Sequence, residues 1–296
     1  MTFTRTASGV ANISKFYRVD CLVYTEGASD EQTGGIRRPD EFYYKAVFRV
    51  IAPDLTVKVK CIGNQEAAFS YFKIIEKENI KNALVAVDRD TFGIDKSAVM
   101  HPKLIFTYGY SWESDLWTIT SADVLIKALT AGAGSADDQF LASFEHGAKR
   151  LKFLSALDIA GRASGAKALL PKNKNKCGIN IRASAMVPIS STEIRRLSTQ
   201  YRNTNAWSCS ISRKILATGL RASADKVIQG HLWENFVYQL VSTSIQRFSG
   251  VGKPEKALLR LILLTLFGDR TSECLGAERL EYYRSSIEAG LSCLDA

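Results

Sequence analysis

Four acidic side chains stand just past short apolar runs. Val19 to Thr25 leads into Glu26-Gly27-Ala28-Ser29-Asp30, and Ala83 to Val87 leads into Asp88-Arg89-Asp90. A third run, Lys103 to Tyr108, passes through Gly109-Tyr110-Ser111-Trp112 to Glu113. Carboxylates gathered at neighbouring strand ends repel one another unless a cation lies between them. An all-oxygen donor set selects a hard divalent cation, usually magnesium. Glu26, Asp88 and Asp90 are therefore the expected metal ligands and Mg2+ the expected cofactor. Alternate residues just past a strand point to one side, so Asp88 and Asp90 would reach the same ion. Gly27 removes a side chain where the backbone must turn and a phosphate or metal must approach.

Such a site suits phosphoryl chemistry. Magnesium would neutralise a scissile phosphate and stabilise charge on the leaving oxygen. Glu26 would take a proton from water or a ribose hydroxyl. Glu113 has two readings: a further acid of the site, or a turn residue beside the packing side chains Trp112 and Trp117.

These acids need strands to carry them. Residues 19–25, 56–62, 83–87 and 103–108 read as strands, and Gln65 to Glu78 reads as a helix because Ala68, Phe69, Phe72 and Ile75 recur at helical spacing. Residues 1–18 read as an arm or edge strand, 28–41 as a turn or loop, and Glu41 to Ile51 as a further strand. Ala52-Pro53-Asp54 is then a turn. Thr120 or Ser121 caps a helix over Val124 to Leu129. Strands alternating with helices imply an α/β layer with a mostly parallel sheet, in which function sits outside the carboxyl ends of the strands.

Beyond Gly132-Ala133-Gly134-Ser135 the chain turns helical. Helices are expected over Asp137 to Ala156, Thr192 to Tyr201, from a cap at Ser223-Ala224-Asp225 to about Phe248, from Pro254-Glu255 to Phe267, and from Glu278 to Ala289. Lys167 to Asn175 reads as a loop or hairpin. The apolar helices at 232–248 and 257–267 would supply a homodimer face.

The net charge of +9 is unevenly spread. Residues 1–130 balance 16 basic against 16 acidic side chains, while residues 131–230 hold 16 basic and 6 acidic. A basic middle would hold a polyanion for the acids to act on. Lys149, Arg150, Lys152, Lys172, Lys174, Arg195, Arg196 and Arg202 are the candidate nucleic-acid contacts. Tyr201 and Trp207, set among arginines, either stack an unpaired base or belong to the core.

Several classes are excluded. No apolar run approaches the ~20 residues that cross a bilayer, and the amino terminus lacks a secretory h-region, so a cytoplasmic protein is expected. Six scattered cysteines contain no C-x-x-C pair for zinc or redox work. Gly250-Val251-Gly252-Lys253 lacks the full phosphate-loop pattern, so intrinsic ATPase activity is rejected. His101, His146 and His231 stand isolated.

Glu26-Gly27, Asp88-Arg89-Asp90 and the Gly63-Asn64 turn between them resemble the TOPRIM domain of topoisomerases, primases and OLD-type nucleases. Tyr110-Ser111-Trp112-Glu113 and Glu26-Gly27-Ala28-Ser29-Asp30 narrow the likeness to a TOPRIM-like family paired with an ABC-type ATPase, the AriB-like effectors of the PARIS anti-phage system. The resemblance covers most of the chain, with the helical half less diagnostic. It implies a TOPRIM, Rossmann-like sheet over residues 1–130 and a basic, mainly helical nucleic-acid-binding and oligomerisation region over 131–296. It further implies general acid/base work by Glu26, magnesium on Asp88 and Asp90, an RNA substrate such as tRNA, and an AriA-like ABC-type ATPase partner. Asp115 departs from the family's asparagine, which puts a ligand role there in doubt. The alternative is a nucleic-acid-binding or ATPase-docking module with a degenerate acidic site.

Overall fold

The structure, a computed structural model, describes residues 7–27, 38–97, 99–168, 170, 181, 188–204, 209–250 and 252–295. In chain order these form α1 (Ala7–Tyr17), β1 (Cys21–Thr25), α2 (Pro39–Ile51), β2 (Val57–Cys61), α3 (Gln65–Lys77), β3 (Ala83–Val87) and β4 (Leu104–Phe106). Then follow α4 (Trp112–Leu116), α5 (Ile119–Leu129), α6 (Asp138–Ala163), α7 (Ser191–Arg202), α8 (Ser210–Arg221) and α9 (Ala224–Val227). The chain closes with α10 (Gly230–Ser249), α11 (Lys256–Asp269) and α12 (Thr271–Asp295), the last bent at Gly276.

The protein is α/β, with a four-stranded all-parallel sheet and a mainly helical remainder. It divides into two compact units: Met1–Asp88, Val99–Tyr108 and Leu264–Ala296 in the first, and Arg89–Ala98 and Gly109–Leu263 in the second.

In the first unit the strand order is β2-β1-β3-β4. Val23 lies opposite Val59 on one side and Leu84 on the other, and Ala86 faces Ile105. Parallel strands covered on both faces become continuous apolar runs, and every residue of β1 and β3 is buried. Helix α2 packs on β2, α3 on β3 and β1, and α12 on α2 and β4. The Tyr43 ring stacks on Phe267 at 5.0 Å, and its hydroxyl donates to that of Tyr283 at 3.1 Å.

The expected strand over 41–51 is instead helix α2. Its composition is aromatic and β-branched, but the spacing decides: Tyr43, Tyr44, Val47 and Phe48 are all buried on one helical face. Pro39 opens the helix and Asp40 and Glu41 occupy its first turn, where negative charge meets the positive end of the helix. Residues 7–17, read as an arm or edge strand, are likewise helical.

The second unit is built on α6, which α7, α8 and α10 all pack against. Asp137 caps α6 by accepting the Phe140 N–H at 3.0 Å, and the helix runs beyond the expected Ala156 to Ala163. Gly147 lets Phe236 lie against the helix backbone, and Phe144, Trp233 and Phe236 form one aromatic cluster. The helix expected from residue 223 to 248 is broken. The Asp225 carbonyl accepts the Tyr110 N–H at 2.7 Å, Ile228 is extended, and α10 starts afresh at Gly230. Helix α8 was not foreseen. Among the described residues no helix is long and apolar enough to cross a membrane.

Candidate functional site

The carboxyl ends of β1 and β3 are adjacent in the sheet, and this adjacency puts Glu26 beside Asp88. The Glu26 carboxylate accepts the Asp88 backbone N–H at 3.0 Å through Oε1. Both residues are half-buried. On the other side, Gly27 and Gly63 exchange backbone hydrogen bonds of 2.8 and 2.9 Å, which joins the ends of β1 and β2. Gly27 sits at φ 128, a region that only glycine enters at little cost. A Cβ there would lie 3.1 Å from both the Asp40 carboxylate and the Cys61 thiol.

Asp40 is thus a second acid against the Glu26-Gly27 turn, and it was missed in the sequence because residues 28–41 read as a loop. Its neighbour Arg38 is buried and bonds to the Cys61 sulfur. Burial pushes the Cys61 thiol up to about 11, with Arg38 pulling the other way. Gln65, at the start of α3 behind the Asn64 cap, donates to the Asp88 carbonyl at 3.3 Å. The acids at the ends of β1 and β3 are therefore held by hydrogen bonds that involve three neighbouring segments.

Asp90 and Glu113 belong to the second unit. Asp90 takes the left-handed conformation, φ 49, which aspartate tolerates better than most residues, and its N–H donates to the Tyr110 carbonyl at 2.7 Å. The Tyr110 N–H in turn meets the Asp225 carbonyl, so the Asp90 turn, the Tyr110 loop and α9 are tied through backbone groups. Glu113 accepts the Ser111 hydroxyl at 2.6 Å through Oε2. Gly230 packs against both: a Cβ there would fall on Ser111 Oγ and 2.8 Å from Glu113 Oε2. Trp112 and Trp117 are buried, and Asp115, fully buried, accepts the Gly109 N–H at 2.8 Å. Asp115 therefore acts as an anchor for the loop.

Magnesium keeps several waters and is commonly held by one or two carboxylates together with substrate phosphates. The contact between Glu26 and Asp88 runs through the Asp88 backbone N–H and sets the two residues side by side at adjacent strand ends, where their carboxylates would be the ones to hold such an ion. Among the described residues no group of three or more His, Cys, Asp and Glu is placed to hold a metal ion. Asp30, with Ser29 and Glu31, lies outside the described residues.

The basic residues divide by their partners. Lys152 reaches the carbonyls of Leu220 and Ala222 at 3.0 and 3.3 Å, closing the end of α8. Arg196 forks onto Glu193 with its nearer approach at 2.6 Å, and that guanidinium holds the Glu193 carboxyl below its ordinary range. Arg150 bonds to the Ile189 carbonyl and, at 3.3 Å, to Ser191 Oγ. Lys149, Arg195 and Arg202 are exposed. Lys172, Lys174 and Trp207 lie outside the described residues. Tyr201 is core, 1% exposed, and burial raises its hydroxyl pKa. The apolar face of α10 is buried within its unit, whereas Leu258 and Leu261 of α11 are exposed. His101 packs on Phe72, and the Lys253 ammonium donates to Gln239 Oε1 at 2.6 Å.

Among known proteins, no family model and no curated sequence matches this chain.

Proposed function

We propose that this chain is a magnesium-dependent TOPRIM-type nuclease that cleaves RNA, with tRNA as the substrate class that the family resemblance implies. In this reading it is the toxic effector of an anti-phage system, held in check by an ABC-type ATPase partner and active as a homodimer. The observation that carries the reading is the hydrogen bond between the Glu26 carboxylate and Asp88 N–H, which makes the two strand-end acids neighbours. Bound magnesium supplies neutralisation of a phosphate oxygen and of charge on the leaving oxygen. Asp88 would hold the cation, and Glu26 beside it would accept the proton of the attacking water or ribose hydroxyl. The half-buried setting of both acids limits competing solvent and strengthens their field.

A second reading draws on a different observation. No three-ligand metal group exists among the described residues, which suits a nucleic-acid-binding or ATPase-docking module with a degenerate acidic site. The two are separated by incubating purified protein with total tRNA in Mg2+ or EDTA, using wild type, Glu26→Gln and Asp88→Asn. The nuclease reading expects cleavage in Mg2+ that drops at least ~100-fold in EDTA and in each variant. Binding without cleavage by the wild type, unchanged in Asp88→Asn, establishes the second reading instead.

A further inference from the structure

Away from the strand-end acids, the second unit carries a cavity of about 320 Å³ lined by Lys149, Arg150 and Phe153 of α6 and Ser191, Ile194 and Arg195 of α7. We propose that it is a subsite for one unpaired nucleotide of an RNA strand, with the phosphate on Lys149, Arg150 and Arg195 and the base against Phe153. The choice of RNA rests on the function proposed above; the subsite itself does not.

Three cations share the opening, and among the described residues no acid lines it. The guanidinium of Arg195 has no ion-pair partner among the described residues, and Lys149 is only 3.7 Å from Glu145 in a pair whose members are 78% and 70% exposed. Exposed pairs of that kind contribute little and leave the ammonium available to a stronger anion. Arg150 is held in place by the Ile189 carbonyl and Ser191 Oγ. A guanidinium has five donors, so these bonds orient it while leaving others for a phosphate. Ser191 opens α7, and the positive end of that helix favours an anion in the same opening. The nearest carboxylate in the first turn, Glu193, is bound to Arg196 at 2.6 Å, which offsets its charge.

A bare phosphate needs no apolar wall, and this cavity has two, Phe153 and Ile194. An aromatic wall beside cations is the arrangement that stacks a base while gripping its backbone, and it tolerates any base. The volume lies at the lower end of small-ligand pockets, ~300–1,000 Å³, which suits one nucleotide. A duplex keeps its bases stacked inside and presents none to a cavity, so the strand must be unpaired here.

The test is fluorescence anisotropy of a labelled twelve-nucleotide oligouridylate with the full chain, in EDTA so that cleavage plays no part. Variants are Lys149→Ala/Arg195→Ala, Phe153→Ala and, as a control, Arg284→Ala on an exposed pair with Glu281. The double variant is expected to bind at least ~10-fold more weakly, with a salt slope shallower by ~0.7 for each phosphate no longer neutralised. Phe153→Ala is expected to bind ~10-fold more weakly with the slope unchanged. Arg284→Ala should match the wild type, and AMP should displace the strand far better than inorganic phosphate does. Equal binding by wild type and the double variant overturns the subsite. So does competition by phosphate as strong as by AMP, which would mark an anion site with no place for a base. AMP binding that depends on Arg195 while the strand is indifferent to it reassigns the cavity to free nucleotides and overturns the strand assignment. A protein that fails to cleave in Mg2+ yet shows Arg195-dependent strand binding loses the nuclease function and keeps the subsite.

Discussion

The Glu26 carboxylate accepts the Asp88 N–H at 3.0 Å, so an acid at the end of β1 is fastened to the first residue past β3. The bond has two consequences. It brings two acids to one end of a parallel sheet, and it gives Glu26 a structural task alongside any chemical one. A substitution at this position must therefore be read in two measurements, stability and turnover.

Glu26→Gln keeps an acceptor for the Asp88 N–H, whereas Glu26→Ala removes it. The alanine variant should lose ~1–2 kcal/mol in urea unfolding, towards the low end for a charge-assisted bond because Glu26 is half-buried. The glutamine variant should stay within ~0.5 kcal/mol of wild type. Both should lose RNA cleavage. A glutamine variant that is fully stable and fully active would remove Glu26 from the chemistry.

Gly230 leaves no room for a side chain, because the Ser111 hydroxyl and Glu113 carboxylate occupy that volume. Alanine normally favours a helix over glycine, so Gly230→Ala would be stabilising if space were open. Here the overlap prevails, and a loss of ~1–3 kcal/mol is expected. Adding Ser111→Gly should recover a large part of it, since the nearest overlapping atom is then gone. Additive losses in the double variant would show that Ser111 is not what fills the space.

Parts of this arrangement were legible in the chain and parts were not. The stretches Cys21 to Tyr24 and Ala83 to Val87 are apolar, as fully covered parallel strands must be, so Glu26 and Asp88 announced themselves as strand-end acids. Helix α3 was equally clear from its periodicity and its Asn64 cap. In α2 the Tyr, Val and Phe content favours a strand, whereas their spacing and Pro39 favour the helix that forms. Asp40 stands in its first turn. The Ser111–Glu113 pair needed Gly230 to explain its packing, and no local pattern links positions so far apart in sequence. Lys152 and Arg196 were legible as cations, but their work in closing α8 and pairing Glu193 depends on where the fold places them.

Asp137 offers a pH test. Burial alone would raise its pKa, but hydrogen bonds from Arg247 and the Phe140 N–H outweigh it and hold the carboxyl below the ordinary range. The folded state therefore binds fewer protons than the unfolded chain as acid is added. The contribution of Asp137 is complete above the usual carboxylate pKa of ~4 and is lost as pH falls through its lower folded value. Asp137→Ala should cost ~1 kcal/mol at pH 7, the usual worth of such a cap. Thermal melting followed from pH 7 downward should show the gap between variant and wild type closing below about pH 4. A gap that persists unchanged at about pH 2, well below the usual carboxylate range, would mean that the ionised carboxylate is not the source.

Glu234 is fully buried on α10, bonded to Arg260 and 3.0 Å from Lys256. A buried carboxylate is costly to leave with a missing partner, while replacing the whole pair by apolar groups of similar volume is often neutral. Arg260→Met alone should thus destabilise by ~3 kcal/mol or more, because Lys256 by itself must offset the charge. Glu234→Met with Arg260→Met should be milder than Arg260→Met alone, since no uncompensated carboxylate remains. Urea unfolding of the two single variants and the double variant gives the coupling directly. If the double variant is as unstable as the sum of the singles, the pair contributes through packing and not through compensation of a buried charge.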